Sequence, residues 1–289
     1  MIKLIASDMD GTLLNGSHEI GKDTIEAIRE AKEAGIEVII ATGRAYNEAI
    51  VPLKAAGLSL PLIVVNGAEV RNAAGEQLFK RGLSAEKAEE AADALEKLDI
   101  YFEIYTENGT YTNHKEHGVQ LLIDIFLTSN PDTPLPNVRE EAESRYDDGH
   151  VNVVDDYHAV FNSSETVYKF LAFSSKPEKL KQAKEILSEM GGLAISSSGK
   201  ENLEITSVEA QKGIALEWYV KERGINTEDV MAIGDNYNDV SMMKLAGWSV
   251  AMGNAPEDIQ QICRYVTATN REEGVAKAIR KLTETEARV

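Results

Sequence analysis

The sequence predicts an α/β protein, a doubly wound parallel-sheet core of Rossmann-like type with a second α+β module inserted into it. Three observations predict this. Short continuous apolar runs alternate with amphipathic helical patterns over the first eighty residues. The same alternation returns from about residue 211 to the end. Between them the pattern changes to strand pairs, a tight-turn dipeptide and charged helices.

KLIAS is the first strand, and the apolar residues of 22–34 recur at helical spacing before Gly35 ends the helix. IEVIIATGR is a strand running into a turn, 45–56 a helix and PLIVVNG a third strand. Strands that are apolar throughout, rather than alternating, are buried on both faces, as in parallel sheets. Near the C-terminus KGIALEWYVKERG, NDVSMMKLAG, PEDIQQIC and EEGVAKAIRKL are helices, and DVMAIGD and WSVAMG are strands. The middle begins with a charged helix at 84–98. IYFEIYT and GTYT then form a hairpin about Asn108-Gly109, a strong turn pair. A helix near 114–128, a Pro-rich loop NPDTPLPN, strands near 167–174, 193–198 and 202–206, and a helix at 177–190 complete it. The expected division is a core of residues 1–82 and 201–289 and an inserted module of 83–200.

A chain of 289 residues is long for one compact core, and 43% hydrophobic residues suffice to bury one. No apolar stretch approaches the roughly 20 residues that span a bilayer. Asp8 and Asp10 interrupt the region where an export signal needs an apolar run. With a single cysteine, Cys263, no internal disulfide can form, which fits a cytoplasmic protein. A net charge of −18 repels nucleic-acid phosphates, so no nucleic-acid partner is expected.

Ligands of open parallel sheets bind beyond the carboxyl ends of the strands. Four such ends carry polar residues: Asp8 and Asp10, Thr42-Gly43-Arg44, Asn66-Gly67, and Asp235 with Asn238 and Asp239. Lys212 opens a nearby helix. Asp8, Asp10 and Asp235 are expected to share one crevice, and carboxylates that close stay ionised only if a cation joins them. Oxygen ligands without His or Cys suit Mg²⁺. Mg²⁺ and Lys212 would also make a locally positive pocket, able to take an anionic substrate in an acidic protein. Other signals are set aside: SSSGKE lacks the pattern of a phosphate-binding loop, and His114 and His117 stand far in sequence from any carboxylate motif.

DMDGT, ATGR, QKG and GDNYND, in this order, resemble the four motifs of the haloacid dehalogenase superfamily. The long interval between the second and third resembles the C2-type cap of its Cof-type phosphatases. The resemblance implies a phosphoric monoester hydrolase in which Asp8 is the nucleophile that forms an aspartyl-phosphate. Asp10 would be the general acid and base. Asp8, the Asp10 backbone carbonyl and Asp235 would hold Mg²⁺, with Asp239 behind them. The Met9 backbone N–H, Thr42, Gly43, Lys212 and Asn238 would hold phosphate. Arg44 could meet substrate or cap its turn.

Two alternatives stay open. A phosphoaspartate signalling receiver also joins an acidic cluster, a Thr and a Lys, but a second Asp two residues on favours hydrolysis over a persistent phosphoaspartate. A phosphosugar mutase of the same superfamily shares every motif. Because the motifs are used up on phosphate and metal, selectivity for the metabolite is expected in the inserted module.

Overall fold

A computed structural model describes residues 1–129, 134–149, 151–197 and 200–286. The chain divides into two compact units, Met1–Lys80 with Ala210–Val289, and Arg81–Glu209. In chain order the strands are β1 (Leu4–Asp8), β2 (Glu37–Ala41), β3 (Leu62–Val64), β4 (Glu69–Arg71) and β5 (Gln77–Lys80) of the first unit. The inserted unit supplies β6 (Tyr101–Thr106), β7 (Thr110–Thr112), β8 (Asn152–Val153), β9 (Val167–Phe173), β10 (Leu193–Ser196) and β11 (Asn202–Ser207). The first unit resumes with β12 (Val230–Gly234), β13 (Trp248–Ala251) and β14 (Tyr265–Val266).

In the first unit the order is β14-β13-β12-β1-β2-β3-β4-β5. Every pair from β14 to β3 is parallel, and β4 and β5 add an antiparallel edge. β1 and β12 are buried at every residue, as strands covered on both faces must be. One face packs Leu4, Ala6, Ile39, Ala41, Ile63 and Ala232 against Ala215, Leu216, Tyr219 and Val220 of helix Lys212–Glu222. Helix Lys22–Glu33 buries Thr24, Ala27, Ile28 and Ala31, a stripe of helical period, and Gly35 beyond it takes φ +82°.

The edge hairpin β4–β5 and the short strand β14 are absent from the sequence expectation. Their runs are brief and half polar, so they carry little period-two signal. The hairpin is made by its turn instead: Asn72 Oδ1 accepts the N–H groups of Ala74 and Glu76, and Gly75 takes φ +87°.

The inserted unit holds a sheet in the order β10-β11-β9-β6-β7-β8, antiparallel except for β7–β8. β11 lies between β10 and β9, so the second junction falls at 209/210 and not near 200. A boundary at 200 would detach a strand hydrogen-bonded on both sides. Alternate residues Phe102, Ile104, Phe170, Ala172, Leu203 and Ile205 form one core with helices Ala85–Lys97 and Pro177–Glu189. On the alternating positions of β6, buried Glu103 takes hydrogen bonds from Arg145 at 3.0 Å and the Tyr101 hydroxyl at 3.2 Å. Arg145 belongs to helix Leu135–Asp147, which begins within the expected Pro-rich loop NPDTPLPN and runs on through residues given no element in the sequence expectation. Pro136 falls in the first turn, where a proline costs no helical hydrogen bond. Residues 130–133 of that loop lie outside the described residues. No described helix is long and apolar enough to cross a membrane.

Phe102 is buried against the rings of Tyr157 and Phe170, centroids 4.5 and 5.5 Å away. Phe102→Ala should destabilise the protein by about 3–5 kcal/mol in urea unfolding. A loss below about 1 kcal/mol, the scale of a peripheral substitution, would contradict this account of the inserted core.

Candidate active site

β1 lies between β12 and β2, and the parallel register sets Asp8 opposite Ala41 and Ser7 opposite Ile233. The residues just past these strand ends, Met9, Thr42 and Asp235, therefore emerge at one level. The chain leaves β1 by a turn over Met9–Leu13 in which Gly11 takes φ +77°. A Cβ on Gly11 would stand 2.4 Å from Asp235 Oδ2, so only glycine lets that carboxylate lie against the turn. Thr12 Oγ1 donates to Asp235 Oδ1 at 2.8 Å, joining the first motif to the fourth.

Behind the turn, Lys212 Nζ donates to Asp8 Oδ1 and to Asp239 Oδ1, both at 2.6 Å. All three residues are buried. Asp239 Oδ2 accepts the backbone N–H groups of Asp235 and Asn236, each at 3.0 Å, so both of its oxygens are committed. Gly67, at φ +101°, allows the backbone to approach Gln211; a Cβ there would meet the Gln211 carbonyl at 2.3 Å. That close approach sets the start of the helix that carries Lys212.

Burial drives the Asp8 carboxyl well above its usual range, and the charges of Asp239 and Asp235 add to it, while Lys212 opposes. Burial likewise raises Asp235, against the hydrogen bond from Thr12. Burial pulls the Lys212 ammonium down, but Asp239 and Asp8 outweigh it and keep it charged. One ammonium is thus not enough for this cluster. Asp8, Asp235 and Asp239 each bring an oxygen within 4.8 Å of the others. Three carboxylates against one ammonium leave two negative charges, the amount one divalent cation neutralises. An all-oxygen donor set fits a hard cation such as Mg²⁺.

The membership of the cluster differs from the sequence expectation. Asp239 joins Asp8 and Asp235, while the Asp10 side chain stands apart, half exposed. The backbone has already left the strand at Met9, so the two-residue spacing no longer returns Asp10 to the side of Asp8. Arg44 grips Asp10 with both prongs, Nε to Oδ2 at 2.7 Å and Nη2 to Oδ1 at 2.5 Å. Arg44 is therefore a partner of Asp10, a role its position alone does not reveal.

Thr42 is buried, and its Oγ1 accepts the Arg44 N–H at 3.1 Å. Asn238 Nδ2 donates to Asn66 Oδ1 at 3.1 Å, and a Cβ on Gly43 would stand 3.0 Å from the same oxygen. Thr42, Gly43, Asn66 and Asn238 thus meet at the ends of β2 and β3. Asn66 holds left-handed backbone at φ 57°. The Met9 side chain is buried, which leaves only its backbone for a ligand. Asn254 is missing from the sequence reading. Its Nδ2 donates to the Gly11 carbonyl at 2.8 Å and lies 3.4 Å from Asp235 Oδ2. It follows β13, and the rule that polar residues past strand ends face the ligand would have found it.

A family model for haloacid dehalogenase-like hydrolases matches residues 5–279. The phosphatase YwpJ of Bacillus subtilis is 35% identical, with 97% of this chain and 100% of that protein covered. The 5-amino-6-(5-phospho-D-ribitylamino)uracil phosphatase YwtE of the same organism is 38% identical, covering 97% of this chain and 98% of the relative. A haloacid dehalogenase-like hydrolase structure from B. subtilis superposes with a TM-score of 0.83 at 33% identity, covering 97% of this chain and all of that one. The chain belongs to the haloacid dehalogenase-like hydrolase family and to its Cof-type phosphatases. It is a phosphoric monoester hydrolase of that family, which sets the receiver alternative aside.

Lys212→Met leaves two buried carboxylates without their cation. At neutral pH and without divalent metal it should cost about 3–5 kcal/mol in urea unfolding. Asp8 is raised in the folded state, so its charge costs stability as pH rises above the unfolded value. The deficit should shrink as pH falls toward about 4, where an unfolded Asp also protonates. A deficit that is small, or that grows on acidification, would contradict this electrostatic account.

Proposed function

We propose that this phosphatase hydrolyses phosphomonoesters of small metabolites, such as sugar phosphates and flavin- or pyridoxal-type phosphates, by way of an aspartyl-phosphate on Asp8. The observation that carries this reading is the buried Asp8–Lys212–Asp239 arrangement with Asp235 beside it. It presents a carboxylate at a strand end, braced from behind, with charge left for a divalent cation.

Asp8 attacks phosphorus, and the bond from phosphorus to the leaving oxygen breaks as Asp10 delivers a proton to that oxygen. Water then attacks the phosphoryl group on Asp8. Asp10 takes the proton, and inorganic phosphate departs with Asp8 restored. To act as the acid, Asp10 must part from Arg44, since a protonated carboxyl no longer forms a two-pronged ion pair. Lys212 fixes Asp8 and neutralises charge as a point cation. Thr42, Gly43, Asn238 and the Met9 N–H bind the transferred phosphoryl oxygens. Asp8, Asp235 and the Asp10 carbonyl would hold Mg²⁺, with Asp239 bracing them. When bound, Mg²⁺ lowers the cost of bringing the phosphate dianion against Asp8. The single cysteine supports a cytoplasmic setting, and the net charge of −18 supports a small-molecule partner over nucleic acid.

Phosphate release from a panel of phosphorylated metabolites should stop on exhaustive chelation and return with Mg²⁺. Asp8→Asn should lose roughly a thousandfold or more, the scale seen when a covalent route is removed. Asp10→Asn should lose about 10² to 10⁴. Full activity after chelation would remove the metal from the mechanism. A nearly wild-type Asp8→Asn beside an inert Asp10→Asn would reverse the two roles.

A further inference from the structure

A cleft of about 530 Å³ opens beside Asp10, wholly within the first unit. Its walls are the stretch from Gly11 to His18 and the loops at Asn254 and Thr269–Arg271. Those walls are fixed. Asn254 Nδ2 donates to the Gly11 carbonyl and Asn270 Nδ2 to the Leu14 carbonyl, both at 2.8 Å. The Asn270 N–H donates to Asn254 Oδ1 at 3.0 Å, clamping the two loops together. Asn15 Oδ1 accepts the N–H groups of Ser17 and Glu19, and the turn so formed sets His18 in left-handed backbone at φ 58°. A residue with a bulky side chain is held there at a cost in backbone energy.

The charge in the cleft is unbalanced. Arg271 has no ion pair or side-chain hydrogen bond among the described residues. Its sequence neighbours are committed elsewhere: Glu272 accepts from Thr269 Oγ1 at 2.8 Å, and Glu273 accepts from Thr24. Asp10, the acidic wall of the cleft, is already neutralised by Arg44. Arg271 lies over Gly16, where a Cβ would stand 3.3 Å from Nε. Arg271 is exposed at the rim of the cleft, and in a chain of net charge −18 an arginine without a carboxylate there offers its charge to an anion that enters.

We propose that this cleft binds a second anionic group, carried on the leaving group of the substrate. The proposal rests on the phosphatase reading above. In-line displacement puts the leaving oxygen opposite Asp8 and within reach of Asp10, so the rest of the leaving group lies next to Asp10, where the cleft opens. Arg271 offers a planar two-pronged donor for a carboxylate or phosphate. His18 offers a ring N–H in either protonation state, and the Asn15 amide a third donor. The substrate class is then a phosphomonoester whose leaving group bears a carboxylate or a second phosphate. Part of the selectivity lies in the core and not only in the inserted unit.

The test compares kcat/KM for phenyl phosphate with its ring-carboxylated and ring-phosphonylated analogues, the two acidic arms separating carboxylate from phosphate recognition. The wild-type chain should prefer at least one acidic analogue over phenyl phosphate. Arg271→Ala should reduce that preference ratio about tenfold or more, a discrimination on the scale of one lost polar contact. Arg271→Lys should restore part of it, and Arg271→Glu should shift preference toward an ammonium-bearing analogue. A ratio that Arg271→Ala leaves unchanged, or a wild type that prefers phenyl phosphate, overturns the proposal alone. No phosphate release from any of these compounds by the wild type overturns the phosphatase reading and the proposal with it.

Discussion

Lys212 holds two carboxylates that would otherwise be buried without a counter-charge. Asp8 and Asp239 are each 2.6 Å from its ammonium, and none of the three reaches solvent to any useful extent. A buried cluster of this kind contributes little to net stability, because desolvation consumes most of the Coulomb attraction. Its use is to present Asp8 at a strand end in a single position. Much of the surrounding structure serves that end. Gly67 lets the backbone close on Gln211, Gly11 lets Asp235 lie against the turn, and Asp239 ties Lys212 to the backbone N–H groups after β12.

The same cluster explains why the site could hold a cation that the chain does not supply. With Lys212 fully engaged, burial still drives Asp8 toward its neutral form. A divalent ion held by these carboxylates would reverse that balance, because it would add attraction for the charged form without adding a carboxylate. Thr12 and Asn254 each aim a hydrogen bond at Asp235, one at either oxygen, so this carboxylate is held in one orientation. Asp10 stands outside this economy of charge. It is paired with Arg44 and half exposed, as would suit the proton exchange proposed for it.

Much of this was legible in the sequence because parallel sheets report themselves strongly. Continuous apolar strands such as LIAS and VMAIG can be buried only on both faces, and the polar residues past their ends then share one edge. Asp8, Thr42, Lys212 and Asp235 follow from that geometry together with the resemblance of their motifs. The edge hairpin β4–β5 was not legible, because its strands are three and four residues long and its order comes from the turn at Asn72–Gly75. The junction near 200 was misplaced because β11 reads equally well as a strand of either sheet until its hydrogen-bond partners are known. The exchange of Asp10 for Asp239 in the acidic cluster depends on where the backbone leaves β1, and on which carboxylate Arg44 reaches. Neither is encoded in residue spacing. Asn254 and Arg271 escaped for a different reason: each is a single polar residue in a loop, and only the fold shows that one touches the turn at Gly11 and the other lacks a carboxylate partner.

The claim on which the account turns is that three carboxylates and one ammonium form a site two charges short. Thermal unfolding of the wild type and of Asp235→Asn, each with and without Mg²⁺, tests it without reference to any substrate. Binding at a hundredfold excess over the dissociation constant stabilises the folded form by about 2.7 kcal/mol. The wild type should therefore show a clear rise in Tm with Mg²⁺, and Asp235→Asn should lose most of that rise. A wild-type Tm that Mg²⁺ leaves unmoved into the millimolar range, or an Asp235→Asn variant that gains as much as the wild type, would contradict it.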